Sequence, residues 1–141
     1  METTALTLSS ESRILAGILF LSLVTVETGG LYLVALVRGK APSTPFQLRF
    51  ARAGHAHAGV LLILALVCQL FADAAQLSGV ANVIARVGVA AAALLMPAGF
   101  FFSSMGKGRE QPNGWIALLY VGGISLAVGL ACLGVGLLLA G

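Results

Sequence analysis

The chain has two histidines, His55 and His57, one residue apart in "RAGHAHAGVLLILALV". Near neutral pH an imidazole can donate or accept a hydrogen bond, shuttle a proton or ligate a metal. One further group of comparable chemistry, Glu27, stands inside the apolar run "LVTVETGGLYLV". It lies about ten residues before Arg38, or roughly 15 Å along a helix, which is near mid-bilayer. A carboxyl there costs about 2.5–3.5 kcal/mol on insertion and must face protein, water or a ligand. It either bonds a neighbouring helix or handles protons or ligand. Glu27 with His55 and His57 is therefore the candidate polar site, and Glu27 with His57 is the candidate acid–base pair. Such a pair works only when both groups reach one substrate.

Residues two apart on a helix project about 200° from one another, so the two histidines cannot serve one core site. His55, Leu62, Gln69 and Asp73 share a stripe, and so do His57, Leu64 and Cys68. Depth places His57 half a turn further from Arg52, which predicts that it reaches the layer of Glu27. The polarity of Gln69 and Asp73 predicts instead that the His55 stripe faces inward. The two signals disagree.

The elements that carry these groups follow from composition. The 141 residues are 59% hydrophobic and 9% charged, and the mean hydropathy is +1.02. A soluble domain carries about 25% charged residues, so this chain's solvent is expected to be the lipid bilayer. Four runs reach the length of about 20 apolar residues that a span needs. They fall at about 14–37, 54–72, 80–103 and 115–140 within one domain over 1–141. Lipid offers no partner to the backbone, so each run must be helical. The expected fold is all-α: a polytopic membrane protein forming a four-transmembrane-helix bundle.

Lys and Arg set the orientation. The loops after the first and third runs hold Arg38, Lys40, Arg49, Arg52, Lys107 and Arg109, against Arg13 and Arg86 on the other side. This predicts cytoplasmic basic loops and N and C termini outside, with the bacterial cytoplasmic membrane as the expected setting. The opening "METTALTLSSESR" carries Glu2 and Glu11 where a signal peptide would be basic, so the first run reads as a retained span. Asp73 and Arg86 flank the short outer loop, where an exposed pair contributes about 0–1 kcal/mol. Exchange of the two charges is then expected to be tolerated.

Packing is expected to use small residues, because helices in lipid associate through close backbone approach. Gly122, Ser125, Gly129, Cys132 and Gly136 form such a stripe in the fourth run, and Gly29–Gly30 form a matching notch in the first. The stripe reads as packing within the bundle, with a homo-oligomer or larger membrane complex as the other reading. Pro97 in the third run should free one backbone carbonyl. Cys68 and Cys132 lie in apolar runs and read as packing residues. There is no phosphate-binding glycine loop, so nucleotide binding is not expected. Nucleic acid is not an expected partner either, since the basic residues sit where they orient spans.

The motif "GHAHAG" after a basic loop resembles a group of small four-helix membrane proteins. Some are similar to haem–copper oxidase subunit I, which carries "HAH" at the head of a helix. Hydroxylaminobenzene mutase has a related histidine at the corresponding point. The resemblance covers about residues 14–72, and only His55 and His57 carry over, as haem or metal ligands. Oxidase-like members continue with a bulky Leu and a Gly-Trp pair, whereas Ala58 and Gly59 follow here. The chain also has no further histidine for a second axial position. Three functions follow as expectations. The first is an accessory or binding subunit holding haem, a metal or another ligand. The second is a membrane-embedded enzyme of mutase or isomerase type, and the third is a dimeric small transporter.

Overall fold

A computed structural model describes residues 7–140; the stretch carrying Glu2 lies outside them. Four long helices run in sequence: α1 (Ser10–Val37), α2 (Pro45–Ala74), α3 (Gly79–Ser104) and α4 (Ala117–Leu139). All four are long and apolar enough to cross a membrane, and no strand occurs among the described residues. The protein is an all-α, four-helix integral membrane protein. An even number of spans brings both ends of the chain to one face, here the terminal face; the basic loops occupy the other.

Each boundary has a local cause. Ser9 caps α1, its Oγ accepting from the Ser12 N–H at 3.1 Å. The second helix starts nine residues before the apolar run that announces it. Thr44 and Gln47 form a reciprocal capping box and Pro45 stands in the first turn, where a missing N–H costs nothing. The extra turns carry Arg49 and Arg52, both exposed. The basic loops are latched together, since Gln47 Nε2 donates to the Ser104 and Gly106 carbonyls at 2.9 and 2.7 Å. Thr44 Oγ1 donates to the Arg109 carbonyl. A 3₁₀ turn (Gly114–Ile116) leads into α4.

α3 is the hub, packed against α2 on one side and α4 on the other, while α1 rests chiefly on α2. The core lies along α2 and α3, where Ala65, Ala72, Ala85 and Val89 are fully buried. Glycines set the α3–α4 distance. A Cβ on Gly99 would meet the Leu119 nitrogen at 2.6 Å, and one on Gly88 would meet the Gly129 Cα at 3.0 Å. The small stripe of α4 lies on α3. Gly122 faces Met96, Ser125 Oγ donates to the Gly88 carbonyl at 2.8 Å, and Cys132 Sγ lies 3.4 Å from the Ala81 carbonyl. Gly136 faces Leu77. The notch at Gly29–Gly30 does not meet this stripe; it receives a side chain from α2 instead.

Candidate functional site

That side chain is His55. A Cβ on Gly29 would lie 3.4 Å from its Nδ1, and one on Gly30 would lie 3.6 Å from its Nε2. The imidazole thus packs against the glycine pair, which would still leave room for a Cβ at ordinary contact distance. Among the described residues neither ring nitrogen has a hydrogen-bond partner, and Nδ1 is buried. Buried polar atoms are ordinarily bonded, which makes this ring conspicuous.

His55 lines a cleft of about 240 Å³ between α1, α2 and α3, with Ser22, Thr25 and Gly29 from α1 and Ala93, Pro97 and Phe101 from α3. Pro97 has no N–H, so the Ala93 carbonyl lacks its usual helical donor. The Ser22 and Thr25 hydroxyls donate within α1, at 2.8 Å to the Ile18 carbonyl and 2.6 Å to the Ser22 carbonyl. Their lone pairs stay available. Thr25 and Leu94 are exposed and stand at the mouth. The cleft thus offers one imidazole donor, several acceptors and apolar walls.

His57 lies on the other flank of α2. Its Nδ1 is 2.8 Å from the Ala53 carbonyl, and its ring packs against Phe100 of α3 at a tilt of 41°, with centroids 4.9 Å apart. Both stripes are buried further along α2, with Leu62 2% and Gln69 1% exposed on that of His55 and Cys68 2% on that of His57; the two imidazoles themselves are half-buried. Its direction from α2 sends His57 towards Phe100 of α3, so depth alone does not decide which imidazole meets α1. Glu27 is exposed on α1 and forms no ion pair with either imidazole. The structure brings His55 to the glycine notch and leaves Glu27 and His57 apart from it.

The haem and metal readings meet the same geometry. No cluster of three His, Cys, Asp or Glu side chains suits a metal among the described residues. The His55 cleft is smaller than the roughly 300–1,000 Å³ of ordinary ligand pockets, and the second imidazole faces elsewhere. These residues do not fit a haem within one chain.

A second polar cluster lies at the terminal face. Asp73 and Arg86 pair at 2.6 Å, with side chains 9% and 5% exposed. The expectation of an exposed pair fails, because α1 closes over it. Ser9 N–H donates to Asp73 Oδ2 at 3.1 Å, and Arg86 Nη1 donates to Ser12 Oγ. Arg86 Nε also donates to Asn82 Oδ1 at 2.5 Å. Gln69 Nε2 donates to the Ala65 and Arg86 carbonyls at 3.2 and 3.3 Å. The cluster ties the first turn of α1 to the end of α2 and the start of α3. Its signal in sequence is the i, i+4 spacing of Gln69–Asp73 and Asn82–Arg86 on either side of a short loop. Every donor of Arg86 that bonds does so inside the protein, so its role is structural.

No protein family, curated protein or solved structure matches the chain.

Proposed function

We propose that this integral membrane protein is a binding subunit whose site is the His55 cleft. Its ligand is a small, membrane-soluble ring compound with one hydrogen-bonding group. The observation that carries this reading is the imidazole without a partner, lodged on two glycines and lining an apolar cleft. An unpaired buried polar atom costs about 1–3 kcal/mol, and a ligand oxygen or N–H would remove that cost. The volume admits one or two fused rings. Binding is favoured over acid–base catalysis because Glu27 faces away from the cleft, leaving no carboxyl to share a substrate with His55.

The test is a thermal-unfolding series in detergent with 1-tetralone, a bicyclic ketone whose oxygen can accept from the imidazole. At 100 times its Kd a ligand stabilises the native state by about 2.7 kcal/mol. The unfolding midpoint of the unmodified protein should rise with 1-tetralone, and that of His55→Ala should rise much less. An equal rise in both would place binding elsewhere, and no rise in either would reject this ligand class.

A further inference from the structure

The outer face of α1 is interrupted by one carboxyl. Gly17, Phe20, Val24, Glu27, Leu31 and Val34 recur at alternating steps of three and four, and all are exposed. Leu31 is 73% and Val24 63% exposed. Lipid can surround the apolar members but gives the carboxyl no partner. Among the described residues the chain gives none either. Thr25 and Thr28 turn their hydroxyls back to the Ser22 and Thr25 carbonyls, each at 2.6 Å. Arg38, the cation just past the end of α1, stands about 16 Å further on.

A partner must therefore come from outside the chain, and depth narrows which one. The bilayer holds every copy in one orientation, so a two-fold axis along its normal sets α1 parallel to α1 of a second copy. Each residue then faces its own kind at its own level. The seam's single polar group meets a carboxyl of the second copy, and a protonated carboxyl donates to the oxygen of the other. Alternating steps of three and four are the pattern of parallel left-handed helix pairs, in which one polar seam position fixes register and number of strands. We propose that the outer seam of α1 is the interface for a second copy of this chain, with Glu27 paired across it. The pairing is independent of the His55 cleft, which opens on another side of α1.

The test is disulfide trapping in liposomes, in a background with Cys68→Ala and Cys132→Ala. Val24→Cys and Leu31→Cys should give covalent dimers on oxidation. Leu21→Cys, 72% exposed but about 120° round the helix from Glu27, should not. Adding Glu27→Leu should lower the association constant about tenfold, the scale on which interhelical polar contacts act. Glu27→Gln should retain association, since an amide can also pair. Equal trapping at Leu21→Cys, no trapping along the seam, or an undiminished dimer in Glu27→Leu would each overturn the proposal. So would trapping of the seam cysteines only to another protein.

Discussion

His55 and His57 are the same side chain placed two residues apart, and their surroundings give them different chemistry. His57 engages its own helix through the Ala53 carbonyl and packs at a tilt against Phe100, whereas His55 meets glycine and open space. Depth along α2 does not separate the two rings; the direction each takes from the helix does. A carboxyl and an imidazole at similar depth need not meet, since azimuth decides contact as much as level does. The Arg86 cluster yields a second residue-scale expectation. Removing one member of a buried pair costs about 3–5 kcal/mol because the other charge is left uncompensated. Arg86→Ala should therefore lower stability on that scale, measured by unfolding in mixed micelles. Exchanging Asp73 and Arg86 should not restore it, because Ser9, Ser12 and Asn82 are placed for the native polarity.

At the scale of elements, the four helices were legible because lipid leaves an apolar run no other structure. Their lengths were less so. The early start of α2 depends on a capping box that precedes the apolar run, and a hydropathy window does not register it. The α4 stripe was visible as a stripe, but its counterpart at Gly88 and Gly99 of α3 was hidden among alanines. Those glycines carry an expectation. Gly99→Ala would force its Cβ against the Leu119 backbone at 2.6 Å, and overpacking of this kind costs about 1–3 kcal/mol. Gly134→Ala on the exposed side of α4 meets nothing within 4 Å and should leave unfolding by denaturant nearly unchanged. Comparable losses in the two variants would contradict the α3–α4 packing.

For the whole molecule, burial of Arg86 in an ion pair sharpens the charge asymmetry read from sequence. The basic-loop face keeps six cations, while the terminal face keeps only Arg13 unburied. The positive-inside rule then predicts that Ser43→Cys reacts with an impermeant maleimide only after cells are permeabilised, and that Ser78→Cys reacts in intact cells. The reverse pattern would invert the protein in its membrane. On the binding reading proposed above, the cleft arises because α1 rests within the chain chiefly on α2, so that α1 and α3 part around His55. That account is tested most directly by nitrogen-15 NMR of the imidazoles, because a chain with two histidines gives two assignable rings. On titration with 1-tetralone, the ring nitrogens of His55 should shift in a saturable way while those of His57 stay in place. Shifts confined to His57, or equal in both rings, would contradict the assignment of the site to the cleft between α1, α2 and α3.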